Sequence, residues 1–323
     1  MQEQELRAVI WPLLNPDDGM MRNCRVRWDE IAPTQGTYEW SVLQKALEET
    51  TAVGRCMLLT VEPNVPDWCT DAKKGFMELI EALGAAYGKT PVIFGVNVAL
   101  PDRGMTKEEA LACYGKAFPH AYLFVQPGFA ENRNEYRIGY SVNADNCAAF
   151  SERSREYPLK MRLEDVEMIG ADAAAACGIS VAETEDPAKF NRPSPFGHRF
   201  RVEKLRMEPQ PGGLTVRALL TNGGSAPCYS DSSFLVRLNG SDVPDARVTD
   251  LGVSGREIMP GGSREASCVI DTRGLTPGEY DVHIGLRLEK TGYPVSFGIE
   301  GRISDGFYEG RMIYVHSETG NDP

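Results

Sequence analysis

Apolar and polar positions fall into two textures along the chain. Up to about residue 187, short apolar runs alternate with segments in which apolar residues recur every three or four positions. Runs at 7–14, 24–28, 57–61, 91–100, 121–126, 136–142 and 178–181 predict strands, and segments 41–53, 71–87, 106–116 and 161–176 predict helices. In the first helical segment Val42, Leu43, Ala46 and Leu47 share a face. Ser41 with Gln44 reads as a capping box, and Gly54 suits a left-handed stop. Thr106 with Glu109 repeats the box before 107–116, and Phe76, Leu79, Ile80 and Leu83 line one side of 71–87. The run PVIFGVNVAL, 91–100, is almost continuously apolar, as expected of a parallel strand covered on both faces. Strands alternating with helices through most of this stretch predict an α/β architecture of the TIM type, a (β/α) barrel. About seven candidate strands occupy a stretch that is short beside the ~250 residues of a typical eightfold barrel. Either the barrel is incomplete or one unit is irregular.

After residue 187 the pattern changes. KFNRPSPFG, 189–197, is rich in Pro and small residues, where a domain boundary falls. Beyond it, runs at 199–205, 214–220, 234–238, 266–270, 280–288, 295–299 and 312–315 alternate in and out between Gly- and Pro-containing turns. This predicts an all-β, two-sheet antiparallel sandwich. The expected organisation is a barrel over 1–190, a linker over 191–198 and a β-sandwich over 199–323. The run LTPGEYDV, 275–282, resembles immunoglobulin-like and fibronectin-like domains.

The stretch between Cys24 and Trp68 carries a more particular pattern. Arg25, Trp28, Ile31, Pro33, Gly36, Tyr38 and Trp40 are followed by a helix, Gly54, an apolar strand, Pro66 and Trp68. This resembles the second and third βα units of barrel glycoside hydrolases of the clan that includes the family 42 β-galactosidases. Any βα unit with an aromatic-rich loop is the plainer alternative. The clan places an acidic residue before the proline, and this chain has Ala32. The run Arg137-Ile138-Gly139-Tyr140, together with the C-terminal segment, resembles a little-studied bacterial family that joins such a barrel to a β-sandwich. The resemblance implies a sugar pocket at the carboxyl ends of the barrel strands. It implies a general acid/base Glu after Asn at the end of strand four, where this chain has Asn97, Val98, Ala99 and Leu100, and Asp102 as the first carboxylate. It further implies a nucleophile after strand seven, a place taken by Glu183.

Glycoside hydrolysis needs two carboxylates, one to protonate the leaving oxygen and one to attack or activate water. The candidate catalytic pair is Glu183 and Asp102. The other reading of Glu183 is a solvated member of the acidic loop ETED. Candidate substrate-binding residues are Arg25, Trp28, Glu62, Trp68, Asn97, Tyr140 and Asn143. Two fates are open to Arg25, an oxygen-binding fork or an ion pair. Trp28, Trp68 and Tyr140 offer rings for stacking on sugar faces, with core packing as the alternative for Trp28.

Composition narrows the partners. Forty-six acidic against 34 basic residues leave a net charge of −12, with no Lys/Arg cluster to track a phosphate backbone. Nucleic acid is therefore not an expected partner, nor is a membrane, since no apolar run approaches the ~20 residues needed to span one; carbohydrate is the partner that the resemblance implies. Four scattered His and no H-E-x-x-H speak against a zinc hydrolase. No phosphate-binding glycine loop or G-x-S-x-G occurs, and no cofactor is expected. Eight cysteines without C-x-x-C read as buried thiols, with disulfides or a metal site as the alternative. With no basic, apolar leader at the N-terminus, a cytoplasmic location is slightly favoured.

Overall fold

The computed structural model describes residues 7–10, 20–52, 56–101, 104–129, 135–183, 196–243, 245–289, 292, 294–295, 297 and 305–316. It divides into two units, Met1–Phe196 and Gly197–Pro323. Gly54 and most of the 189–197 linker lie outside the described residues.

The first unit is a closed barrel. Its order is β1 (Arg7–Ile10), β2 (Met20–Arg27), α1 (Trp28–Ile31), α2 (Ser41–Ala52), β3 (Met57–Glu62), α3 (Ala72–Tyr87), β4 (Ile93–Asn97), α4 (Lys107–Ala117), β5 (Tyr122–Val125), β6 (Ile138–Val142), α5 (Cys147–Phe150), β7 (Leu159–Arg162), α6 (Leu163–Ile169), α7 (Ala171–Ala176) and β8 (Ile179–Glu183). Strands β2 to β8 run parallel, each paired with the next. β1 is antiparallel to both β2 and β8 and closes the ring. Among the described residues no helix joins β5 to β6, so the barrel is short because its second half carries reduced helices.

Each regular element has a local cause. Met57, Leu58, Leu59 and Val61 of β3 have no exposed surface, which is why that strand reads as a continuous apolar run. α3 begins at Asp71, whose carboxylate accepts from the Lys74 backbone N–H, and buries Phe76, Leu79, Ile80 and Leu83. α4 begins with the expected capping box: Glu109 N–H donates to Thr106 Oγ1 at 3.2 Å, and Thr106 N–H to Glu109 Oε2 at 3.0 Å. Lys73 donates to Glu109 at 2.6 Å and, with the Thr106 backbone, holds that carboxyl below its ordinary pKa. α3 and α4 approach closely, since a Cβ at Gly84 would lie 2.5 Å from that of Ala117. Thr106→Ala should cost about 1 kcal/mol of unfolding free energy, the usual worth of an N-cap, read as a lower urea midpoint at unchanged slope.

One expected element is corrected. Residues 161–176 are not a single helix: β7 occupies Leu159–Arg162, and α6 and α7 follow, separated at Gly170, whose φ is +89°. Four residues alternating apolar and cationic, LKMR, are too few to declare a strand by periodicity, and the Ala-rich segment behind them pulls the reading toward helix. Among the described residues the barrel therefore counts eight strands, and Glu183 ends the eighth rather than the seventh.

The second unit has two antiparallel sheets. One is ordered β13 (Ser263–Asp271), β10 (Gly213–Asn222), β9 (Phe200–Gln210). The other is ordered β12 (Ala246–Ser254), β11 (Ser232–Gly240), β14 (Gly278–Leu288), β15 (Pro294–Val295), with β16 (Tyr308–Val315) also pairing β14. Both sheets contribute to one apolar core, Val216, Leu220 and Ile270 from the first and Val236, Val282 and Leu286 from the second. β12 was not expected. Its first five positions are exposed or half-exposed and Val248 is 56% accessible, so the alternation that marks its neighbours is missing there.

Candidate functional site

Parallel pairing sorts the barrel residues into an inner and an outer set, because partners across a ladder share a side. Arg25 pairs with Thr60, Thr60 with Asn97, Asn97 with Phe124, and Phe124 with Gly139. The inner row thus runs from a cation through two small polar groups to an aromatic ring. Phe124 fills the lumen between two glycines: a Cβ at Gly95 would lie 2.6 Å from its ring and one at Gly139 2.7 Å.

A chain of hydrogen bonds crosses this interior. Lys160 of β7 donates through Nζ to Asn97 Oδ1 at 2.8 Å, Asn97 Nδ2 donates to Thr60 Oγ1 at 2.6 Å, and Thr60 Oγ1 donates to Asn23 Oδ1 at 3.3 Å. Asn23 and Lys160 are buried, and Lys160 Nζ also stands 5.8 Å from the centroid of Phe124. Held by a cation on one side and a hydroxyl on the other, the Asn97 amide has one consistent orientation. Beside this chain Arg25 Nη1 donates to Glu62 Oε1 at 2.9 Å, both side chains about one-third exposed. Arg27, farther along β2, is tied to Asp29 at 2.5 and 3.1 Å, and that carboxylate raises its pKa further.

The structure gathers Arg25, Glu62 and Asn97 at the carboxyl ends of β2, β3 and β4. Trp68 lies in the loop after β3, half-buried, its indole N–H donating to Ala32 O at 2.9 Å. Trp28 has no exposed surface and packs tilted on Phe76 at 5.3 Å and edge-on to Trp68 at 6.5 Å. Tyr140 falls in the outer set. It packs on Phe150 at 5.0 Å and Tyr157 at 5.7 Å, with the Arg153 guanidinium 5.6 Å from its ring. Asn143 is engaged reciprocally with Asn146, each side-chain oxygen accepting from the other's backbone N–H at 3.1 and 2.9 Å. Glu183 pairs through its backbone with Arg162 and Val9, and its side chain lies outside the described residues, as does Asp102.

Sequence reasoning did not find Lys160, Thr60 or Asn23. A lysine one residue into a four-residue strand looks like a surface cation, and only the strand assignment turns it inward. Two buried thiols of this unit are held mainly protonated at neutral pH: burial pushes Cys24 up to about 12 and Cys113 up to about 11. Among the described residues no group of three His, Cys, Asp or Glu is placed to hold a metal, and no helix is long and apolar enough to cross a membrane.

No protein-family profile matches the sequence, and no curated protein matches it. Among solved structures, similar chains include a mutant of TsXylA, the intracellular xylanase of Thermoanaerobacterium saccharolyticum, in complex with xylotetraose. It is 16% identical over 47% of this chain and 59% of that one, with a TM-score of 0.29. The endo-β-1,4-mannanase of Thermotoga petrophila is 10% identical over 88% and 84%, with a TM-score of 0.27. β-Glucosidase 3B of Thermotoga neapolitana is 11% identical over 76% and 45%, with a TM-score of 0.25. The chain thus spans about three-fifths of the xylanase it matches. Scores of this size are too low to argue a shared fold, so the barrel assignment rests on the strand pairing above.

Proposed function

We propose that the barrel is a carbohydrate-binding unit of glycoside-hydrolase type that holds a glycan at the carboxyl-end mouth without hydrolysing it. The observation that carries this reading is the end of β4, where Asn97 stands with its amide fixed between Lys160 and Thr60. The acid/base Glu that the resemblance puts directly after this Asn is Val98 here, which has no proton to give a leaving oxygen, whereas the fixed donors and acceptors of Asn97 are what hydroxyl recognition uses. The Arg25–Glu62 pair at the same mouth adds a planar donor fork and a carboxylate acceptor, and Trp68 adds a ring. The immunoglobulin-like character of the second unit belongs to the same proposal, supported by two antiparallel sheets on one core.

A second reading keeps hydrolysis, with Glu183 as nucleophile and Asp102 as acid. It is supported by the carboxyl end of β8 falling at Glu183, next to Arg162 in the ladder. Two measurements separate the readings. On a glycan array followed by calorimetry, the wild type should bind, and Glu62→Ala should weaken binding about 10- to 100-fold, the loss of one or two charge-assisted hydrogen bonds. Activated aryl glycosides need little acid assistance, so a working nucleophile would reveal itself on them. Wild-type turnover that disappears in Glu183→Gln establishes the hydrolase, and an array without any bound glycan removes the binding proposal.

A further inference from the structure

Two cysteines distant in sequence meet outside the barrel lumen. Cys147 is the first residue of α5 and is buried; Cys177 follows the last residue of α7 and is half-buried. Their sulfurs are 3.2 Å apart although 30 positions separate them. A disulfide requires about 2.05 Å between sulfurs, so little more than an ångström of approach is needed.

We infer that Cys147 and Cys177 form an oxidisable dithiol that closes to an intramolecular disulfide with a low-molecular-weight disulfide such as oxidised glutathione. Cys177 is the more accessible thiol and reacts first: its thiolate attacks one glutathione sulfur, the glutathione disulfide breaks, and one glutathione thiolate leaves. Cys147, as thiolate, then attacks Cys177 Sγ, the mixed disulfide breaks, and the second glutathione leaves. Two protons are released from the protein thiols and taken up by the two glutathiones, and two electrons pass from protein to glutathione.

The bond joins the segment leaving β6 to the segment entering β8, and so braces both sides of β7, the strand that carries Lys160. It anchors as well the turn in which Asn143 and Asn146 cap one another. Burial, and then the hydrogen bond with Cys147, push Cys177 up to about 11, so thiolate is scarce at neutral pH and closure is slow. The other cysteines with shifts, such as Cys24 and Cys268, are raised chiefly by burial and serve as internal controls.

The test equilibrates the whole chain at pH 8.5 in glutathione buffers of rising oxidised fraction. Remaining thiols are blocked under denaturing conditions, and the protein is digested without reductant for mass spectrometry. The expected result is one linked peptide pair, Cys147 with Cys177, growing with the oxidised fraction while two of the eight thiols escape alkylation. Cys147→Ser should stop at a glutathione adduct on Cys177, and Cys177→Ser should leave Cys147 alkylated. A wild type in which both cysteines stay alkylated in the most oxidising buffer overturns the inference, and so does a lasting glutathione adduct on Cys177 without the link.

Discussion

Gly139→Val is expected to destabilise the barrel by roughly 3 kcal/mol, at the upper end of the usual cost of overpacking a core. Intrinsic preference points the other way, because valine favours a strand by up to about 1 kcal/mol. The clash decides the sign. A Cβ at Gly139 would stand 2.7, 2.8 and 3.1 Å from three atoms of the Phe124 ring, and the ring cannot retreat, since a Cβ at Gly95 would lie 2.6 Å from its opposite edge. Phe124 is 2% exposed, so no solvent gap offers an escape. The pair Gly139→Val with Phe124→Leu should recover much of the loss, a coupling that independent sites would not show. Urea unfolding followed by tryptophan fluorescence reports this unit alone, because all four tryptophans precede residue 69. A loss below about 0.5 kcal/mol for Gly139→Val would mean that the ring is not wedged.

The same lumen marks the limit of what sequence could reveal. Segments with their own periodicity or caps were legible: Ser41–Ala52 and Ala72–Tyr87 follow from a repeating apolar face, although Val42 of the first is exposed, and Lys107–Ala117 follows from the Thr106–Glu109 box, which is present as read. The motif between Arg25 and Trp68 was legible too, and its chemistry is largely that of a scaffold. Gly36 takes φ +75° in the loop, Tyr38 stacks on Trp40 at 5.1 Å, and Trp40 meets Tyr87 of α3 edge-on at 6.0 Å. Those aromatics fasten the loop between β2 and α2 to the helix layer.

What escaped was decided by distant partners. β7 is four residues long and becomes a strand only through its ladders with β6 and β8. β12 pairs β11 while leaving much of its length open, so hydropathy could not announce it. The departure from the expected carboxylate was visible at Val98, directly after Asn97. That the Asn97 amide answers a lysine 63 positions later was not, because nothing local in either segment encodes the meeting.

Trp28 and Trp68 belong to one motif and meet edge-on, yet their removal should have opposite consequences. Trp28→Ala is expected to cost about 3–5 kcal/mol, the range for deleting a buried aromatic. Its ring has no exposure, lies against Phe76, and sits so near α3 that a Cβ on Gly75 would be 3.0 Å away, so neighbours can close the cavity only by shifting a helix. Trp68→Ala gives up one indole hydrogen bond to Ala32, worth about 0.5–1.5 kcal/mol, and contacts on a half-buried ring. The first variant should unfold at markedly lower urea or fail to accumulate. The second should stay folded and lose most of its affinity for any glycan the wild type binds, because a ring held by its N–H and open on part of its surface is suited to stacking on a sugar. A folded Trp68→Ala that binds as tightly as the wild type would remove stacking from this tryptophan and leave recognition to Arg25, Glu62 and Asn97. Burial, not residue type, separates the two roles: the tryptophan that the fold has already covered has no face left to offer a ligand.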